Sequence, residues 1–312
     1  MPEVVAAGEA MVLLLAPQPG YLRHQAWLEL RVGGAEANLA IALARLGFKA
    51  GFVGWLGQDE LGELVLQRLR AEGVEVSQVR RLEAPTGLYI RERLPGGRGR
   101  VHYRRSGSAA AQMIPGAFDP DYLEGCRVFH LSGITPALSS GAAAFARWAM
   151  AEARRRGALV SLDVNYRSKL WGPGPARAWL EEVLPQVDCL FLSQEDARLW
   201  EASGLELLRA LAARGPGHVV LKQGRLGALA LVEGCCFESP AFPVEEVDPV
   251  GAGDAFSAGY LAGLLWGKPP AERLRIGNAL GALAVSVPGD YEGAPSASEL
   301  ADFLQQQTFV ER

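Results

Sequence analysis

The chain has 312 residues, 49% of them hydrophobic, and a formal net charge of -4 at pH 7. This composition excludes a disordered chain and provides enough apolar residues for a sheet covered on both faces. The slight acidity gives no electrostatic reason to expect nucleic acid or an anionic membrane surface as a partner. With no signal-peptide pattern and no run of ~18 apolar residues, we expect a cytoplasmic protein whose partners are small molecules.

Short apolar runs alternate with longer segments of helical period, a pattern typical of βαβ units. We predict strands at Val4–Gly8, Phe52–Gly54, Val128–Leu131, Leu159–Val164, Cys189–Leu192, Val219–Leu221 and Ala228–Val232. Several of the intervening helices end in glycine, as at Gly47, Gly73 and Gly157, where a left-handed cap is expected. The predicted fold class is α/β, with a mostly parallel central sheet and helices on both faces.

Two stretches interrupt this alternation, at approximately residues 10–32 and 86–112. The second contains strand-like runs at Gly87–Leu94 and Arg100–Arg105 that flank a Pro-Gly-Gly turn. Because a hairpin pair alone is only marginally stable in water, we predict that both stretches form one small β-sheet over the edge of the main sheet. It would act as a lid, or pair with another subunit through its open edge, or do both. No linker divides the chain, so we expect a single domain over residues 1–312 with a homo-oligomer contact through the lid.

The cysteines show no paired spacing, and two of them lie in apolar runs that are typical of buried strands. We therefore predict that all four are reduced thiols in the core. They are Cys126, Cys189, Cys235 and Cys236.

The most informative run is Asp248–Phe256, which leads into a predicted helix. Its glycines, Gly251 and Gly253, permit a tight turn, after which free backbone amides of Ala252, Gly253 and Asp254 converge on one point. These amides and the helix dipole favour the charge that builds on a phosphoryl group in transfer. We expect Asp254 to stay ionised in this positive field and to accept the proton of the attacking hydroxyl, the alternative being a helix cap.

Other nucleotide-binding classes do not fit these residues. A dinucleotide fingerprint would have glycine at the position of Phe256 and would lie in the first βα turn, far earlier in the chain. Neither a P-loop nor the protein-kinase motifs occur. The isolated histidines lack ligand spacing, so a metal site built from histidine is not expected.

Three motifs resemble the signatures of the ribokinase-like (PfkB) carbohydrate kinases. They are Gly33–Asn38, Lys222–Ala228 and Asp248–Gly259. Their order and spacing match that family from about residue 4 to residue 304. The resemblance implies a three-layer αβα sandwich with a β lid, and ATP with Mg²⁺ as the phosphoryl donor. It leaves open whether a monovalent cation such as K⁺ takes part.

The resemblance also implies roles for individual residues. Asp254 would be the catalytic base, with Gly251, Ala252 and Gly253 as the anion hole. The nucleotide side would comprise Asn165, Ser193, Lys222, Gly224, Gly227, Gly251, Gly253 and Asn278, the last near the adenine. For Lys222 the sequence leaves open the alternative of a solvated surface lysine at a strand end. The family often has Asn-x-x-Glu near the metal, whereas this chain has Ser-Gln-Glu-Asp from residue 193, so the metal ligands stay unassigned.

The substrate side contains two arginines that suggest an acid. Arg105 lies in the predicted lid, and Arg167 follows a strand end, where ligands bind in doubly wound sheets. Arginine binds a carboxylate through two parallel hydrogen bonds, although either residue alone would be read as a solvated surface group. The pattern resembles the 2-keto-3-deoxygluconate kinases of the family, which phosphorylate a sugar acid at O6 in Entner-Doudoroff metabolism. The substrate side would then comprise Gly34, Asn38, Tyr89, Tyr103, Arg105, Arg167, Asp254 and Asp290.

Two alternatives stay open from the sequence. The first is a kinase of the same family for a neutral sugar such as fructose or ribose, or for a nucleoside. The second is a non-catalytic sugar-binding module on the same scaffold, against which the intact Gly-Ala-Gly-Asp run argues.

Overall fold

The computed structural model describes residues 1–94 and 98–310, so the predicted Pro-Gly-Gly turn lies outside the described residues. Along the described chain the strands are β1 (Val4–Ala7), β2 (Met11–Leu15), β3 (Glu29–Gly33), β4 (Ala50–Gly57), β5 (Val79–Leu82), β6 (Leu88–Leu94), β7 (Arg98–Arg104), β8 (Val128–Ser132), β9 (Leu159–Asp163), β10 (Cys189–Ser193), β11 (His218–Lys222), β12 (Ala228–Val232) and β13 (Cys235–Ser239). The helices are α1 (Ala35–Arg45), α2 (Glu60–Ala71), α3 (Ile134–Ala137), α4 (Ser140–Arg155), α5 (Pro173–Val183), α6 (Gly204–Ala212), α7 (Ala252–Leu265), α8 (Pro270–Val285) and α9 (Ala297–Val310).

The larger sheet has nine strands in the order β13-β12-β11-β10-β9-β8-β1-β4-β5. Seven of them, from β11 to β5 in that order, run parallel, whereas β12 and β13 are antiparallel additions at one edge. The predicted α/β class with a mostly parallel sheet is therefore confirmed. The two edge strands β5 and β13 were not predicted because their residues are largely exposed or half-buried and form no apolar run.

The core lies on both faces of this sheet because successive strand side chains point in opposite directions. In β1, Val4 and Ala6 pack with α1, α7 and α8, while Val5 and Ala7 pack with α4, α5 and α6. All four side chains are buried. This arrangement is the three-layer αβα sandwich that the alternating pattern predicts.

A second sheet has four strands in the order β3-β2-β6-β7. Its strands come from both interrupting stretches: β2 pairs antiparallel with β3, β6 pairs antiparallel with β7, and β2 runs parallel to β6. Met11, Leu13, Leu15 and Tyr89 form a small apolar cluster on one side of this sheet. We call it the lid sheet, and its closing motion and its use as a subunit interface stay predictions.

The four cysteines are free thiols, but only two lie in the core. Cys126 and Cys189 are buried, whereas Cys235 and Cys236 are exposed on the edge strand β13, so the prediction is wrong for that pair. None of the helices over residues 1–94 and 98–310 is long and apolar enough to cross a membrane.

Candidate active site

The first turn of α7 has the backbone that the Gly-Ala-Gly-Asp run predicts. Gly251 occupies the N-cap with φ +80°, in the left-handed region, and a side chain there would overlap the carbonyl oxygen of Asp290. Glycine is the residue that tolerates both constraints. The amides of Ala252, Gly253 and Asp254 follow in the first turn, where they have no carbonyl partner within the helix. Since Gly251 is the N-cap, the alternative that Asp254 caps the helix is wrong.

Asp254 meets the Gly33–Asn38 motif through a hydrogen bond. The Asn38 side-chain Nδ2 donates to Asp254 Oδ2 over 2.8 Å, and the Asn38 side chain is buried on α1. The chain enters α1 through Gly34, which has φ +140° and lies so close to the Glu9 carbonyl that a side chain would overlap it. Two motifs separated by 216 positions therefore form one site.

Burial changes the acidity of the proposed base. It raises the pKa of Asp254 to about 7, the negative charge of Asp163 acts in the same direction, and the Asn38 hydrogen bond and the charges of Lys222 and Arg167 oppose it. A carboxyl with this raised pKa is only partly ionised at neutral pH, which departs from the expectation that Asp254 stays ionised. A carboxyl with this pKa is suited to general base catalysis near pH 7.

Lys222 lies beside the first turn of α7. Its Nζ donates to Asp163 Oδ2 over 2.5 Å and lies 3.4 Å from the carbonyl oxygen of Gly253. Asp163 ends β9 and Lys222 ends β11, at the carboxyl edge of the parallel strands, where ligands bind in this class of sheet. The alternative of a solvated surface lysine is wrong, because the side chain is 13% exposed and ion-paired.

The predicted nucleotide loop is a short turn with two left-handed glycines. Gly224 has φ +58° and Gly227 has φ +101°, and a side chain at Gly227 would overlap the carbonyl oxygen of Ser239. Asn278 on α8 donates from Nδ2 to the same Ser239 carbonyl and to that of Pro240, each over 3.0 Å. Asn278 therefore lies next to the segment that Gly227 contacts.

Asp196 joins two further residues of the predicted nucleotide side. Its Oδ2 accepts hydrogen bonds from the backbone N and the Oγ of Ser193, at 2.7 and 2.8 Å. Its Oδ1 accepts one from the backbone N of Tyr166 over 2.8 Å. Asn165, directly before Tyr166, has φ +40°, so Asp196 holds this strained turn against the end of β10. Sequence reasoning missed this role. The signal that could have found it is the three-residue spacing of Ser193 and Asp196, which permits a local hydrogen bond between them.

The lid sheet brings aromatic residues to the same region. The Tyr89 hydroxyl donates to Asp290 Oδ2 over 2.5 Å, and the rings of Tyr89 and Tyr103 stack with centroids 5.7 Å apart. A side chain at Gly33 would overlap the Tyr89 hydroxyl. The lid and the loop after α8 are thus in contact at the predicted substrate side.

The two arginines of the predicted carboxylate site have different surroundings. Arg105 is buried, forms an ion pair with Glu9 and lies 5.3 Å from the ring centroid of Tyr103. It is therefore not a solvated surface group, and Glu9 already supplies it with a carboxylate. Arg167 is exposed, and its charge reaches Asp254, whose pKa it lowers.

Arg91 was missed by sequence reasoning. This lid arginine donates from Nη2 to Asp248 Oδ2 over 2.5 Å and from Nη1 to Asp290 Oδ1 over 3.0 Å. The signal that could have found it is the strand period of two, which places Arg91 on the same face of β6 as Tyr89.

The described residues contain no cluster of three or more His, Cys, Asp or Glu side chains that would hold a metal by themselves. Asp163 Oδ1 is buried beside α7 without a hydrogen-bond partner. Such an oxygen is a ligand type that Mg²⁺ accepts, and Mg²⁺ commonly binds through one or two carboxylates together with substrate phosphates. The site therefore fits an Mg²⁺ ion carried mainly by a nucleotide.

Comparison with known proteins agrees with this geometry. The family model of the pfkB family carbohydrate kinases matches residues 1–297. The chain belongs to this family. As a PfkB carbohydrate kinase, it is a phosphotransferase that acts on an alcohol group of a sugar.

The relatives of this PfkB kinase include two with named substrates. The 2-dehydro-3-deoxygluconokinase of Bacillus subtilis (strain 168) is 33% identical over 99% of this chain and 97% of its own length. The 2-dehydro-3-deoxygalactonokinase of Haloferax volcanii is 36% identical over 92% of each chain. A solved structure of a putative Ribokinase II from E. coli in complex with ATP and Mg²⁺ superposes with a TM-score of 0.91, at 27% identity over 98% of this chain and 100% of that one.

Proposed function

We propose that this kinase transfers the γ-phosphoryl group of ATP to the 6-hydroxyl of 2-keto-3-deoxygluconate, also named 2-dehydro-3-deoxygluconate. The product is 2-keto-3-deoxy-6-phosphogluconate. The observation that carries the proposal is the position of Asp254, in the first turn of α7 and hydrogen-bonded to Asn38. The substrates of the two named relatives, both sugar acids, support an acid as the acceptor.

In the proposed mechanism, Asp254 accepts the proton of the 6-hydroxyl while that oxygen bonds to the γ-phosphorus and the bond to the ADP oxygen breaks. The amides after Gly251 stabilise the negative charge on the transferring group. Asn38 orients the carboxylate, and Lys222 is placed to turn from Asp163 towards the phosphates. Mg²⁺, bound with the nucleotide, would neutralise part of the phosphate charge, with Asp163 as a candidate ligand.

The acid group of the substrate is assigned to the two arginines. In this proposal Arg167 binds the substrate carboxylate first, because its guanidinium is exposed and close enough to Asp254 to lower the pKa of that residue. Arg105 approaches from the lid behind Tyr103, with Glu9 as its counterion. Two guanidinium groups bind a carboxylate in a defined orientation, which places the far end of the sugar acid at the base.

The test is a panel of sugars and sugar acids with ATP and Mg²⁺, read by ADP release. We expect the highest kcat/KM for 2-keto-3-deoxygluconate, with its C4 epimer and neutral sugars compared in the same assay. Asp254→Asn should lower kcat by about 10²- to 10⁴-fold, the usual contribution of a general base, and leave ATP affinity nearly unchanged. The matched control is Asp302→Asn, which changes an exposed carboxylate on α9. Normal turnover by Asp254→Asn would contradict the assignment of the base.

A second candidate is a kinase of the same family for a neutral sugar such as fructose or ribose, or for a nucleoside. The observation that favours it is the ion pair of Arg105 with Glu9, which leaves that guanidinium without need of a substrate carboxylate. A strong preference for a neutral acceptor in the panel would establish this reading. Tight sugar binding without ADP release from any acceptor would instead establish a non-catalytic binding module.

We infer further that the chain works in the cytoplasm and forms a homo-oligomer through the lid sheet. The open edge strand β3 supports the oligomer, since Leu30 on that strand is 54% exposed. Sedimentation velocity of the wild type and of Leu30→Arg tests this contact, and an unchanged monomer in both would contradict it. Repeating the kinase assay in KCl and in NaCl tests the involvement of K⁺.

A further inference from the structure

A buried arginine links the lid sheet to the loops around the anion hole. The Arg91 side chain is 3% exposed and lies between two carboxylates, Asp248 at 2.5 Å and Asp290 at 3.0 Å, which are themselves 9% and 6% exposed. Each ion pair uses a different terminal nitrogen, so the guanidinium bridges the two carboxylates. Side chains buried to this degree occupy one orientation, and each of them restrains the others.

Both carboxylates belong to segments that contact Gly251. Asp248 lies three positions before it and accepts hydrogen bonds from the backbone N of Val250 and of Gly289, at 3.2 and 3.1 Å. Asp290 lies against it through its carbonyl oxygen, which is why a side chain at Gly251 would not fit. Arg91 therefore holds the two segments between which the N-terminus of α7 is placed.

The negative charges of Asp248 and Asp290 require a cation between them. Two buried carboxylates close together repel each other, and a buried charge without a partner is strongly destabilising. The Tyr89 hydroxyl donates to Asp290 but carries no positive charge. Among the interactions of the described residues, Arg91 is the cation that pairs with both carboxylates.

We propose that Arg91 is a positioning residue for phosphoryl transfer, which fixes Asp248 and Asp290 and thereby aims the amides after Gly251 at the transferring group. The proposal rests on the phosphotransfer described above, and adds that the lid contributes to the anion hole as well as to the sugar side. Without Arg91 the two loops separate, and the amides lose their common direction. Lysine does not substitute well, because an ammonium group is a point charge and lacks the planar fork.

The first experiment compares Arg91→Ala and Arg91→Lys with Arg100→Ala, which removes an exposed arginine of the same lid sheet. We expect kcat to fall by about 100-fold in Arg91→Ala, the usual cost of losing one oxyanion-hole donor, and by an intermediate amount in Arg91→Lys. Arg100→Ala should keep the wild-type kcat. Added guanidinium chloride should restore part of the kcat of Arg91→Ala, whereas NaCl at the same ionic strength should not. A kcat within about twofold of the wild type in Arg91→Ala would overturn the proposal.

A second experiment separates a local role from a general loss of folding and does not depend on the sugar. It measures the affinity for ADP with aluminium fluoride, which mimics the transferring phosphoryl group, and for ADP alone. We expect about 100-fold weaker binding of the mimic to Arg91→Ala, with ADP alone changed by less than about threefold. Equal losses for both ligands, together with a lowered unfolding temperature, would indicate a purely structural residue. If no sugar accepts phosphate from the wild type, the proposed substrate is wrong, and this measurement still decides the role of Arg91.

Discussion

The raised pKa of Asp254, the proposed base, sets a pH dependence in the neutral range, where an ordinary aspartate is fully ionised and would give none. With a pKa of about 7, the carboxyl must lose its proton before it can act as a base, so activity rises as pH rises through that value. About one tenth of the molecules would be ionised at pH 6, so kcat/KM should fall about tenfold from its plateau above pH 8.

Replacing Asn38 with leucine should move this profile. The Asn38 amide donates to the charged form of the carboxyl over 2.8 Å; the Asn38 side chain is buried and Asp254 is half-buried, so solvent screens the bond only in part. A hydrogen bond to a charged group contributes about 1.5 to 3 kcal/mol, and one pKa unit corresponds to about 1.4 kcal/mol. Asn38→Leu, which keeps the branched shape but removes the donor, should therefore raise the midpoint of the profile by about one unit or more.

The assay is kcat/KM for the preferred acceptor between pH 5 and 9 at constant ionic strength, because this ratio reports groups of the free enzyme. The midpoint is compared rather than the absolute rate, since Asn38 is also a proposed sugar ligand and its loss raises KM. Identical midpoints in the wild type and Asn38→Leu would refute the coupling. A wild-type midpoint near 4 would refute the effect of burial.

Three further predictions concern stability, the anion hole and the cysteines. At pH 8 folding must bury an ionised Asp254, a cost that appears as pH rises from about 4 to about 7, so Asp254→Asn should unfold at a higher temperature than the wild type at pH 8 but not at pH 4. Gly251→Ala should lower kcat by about 100-fold. Its control is Gly267→Ala, which has φ +71° but open space around the added carbon, and should keep its kcat. An aromatic disulfide reagent should label the two exposed thiols of β13 in the native chain, and the other two only in denaturant, since burial raises the pKa of Cys126 to about 11.

The sequence predicts this fold well because its signals are local. Each predicted strand is present, since a strand covered on both faces needs a continuous apolar run such as Val4–Ala7. The turn at Gly251 is equally local, because a left-handed residue directly before a helix strongly favours glycine. What could not be predicted depends on distant parts of the chain. The groups that shift the pKa of Asp254 come from several distant segments, among them Asn38 at 216 positions and Asp163 on strand β9.

The buried ion pairs show the same limit at single residues. Arg91 and Arg105 are two of several arginines in a strand-rich segment, and nothing near them in the sequence separates a buried guanidinium from a solvated one. Their partners, Asp248 and Glu9, are respectively 157 and 96 positions away. A two-residue period places Arg91 on the inner face of the lid, but only the assembled molecule shows which carboxylates it meets.

The large sequence separation between Asn38 and Asp254 affects when the site can form during synthesis of the chain. Strand β1 lies between β4 and β8, so the amino-terminal half can begin to pack early on the ribosome. Asp254, the proposed base, is added only after more than four fifths of the residues have been translated. If Asp254 is the base, a nascent chain or one terminated before this residue would not consume ATP, however well its first half has folded.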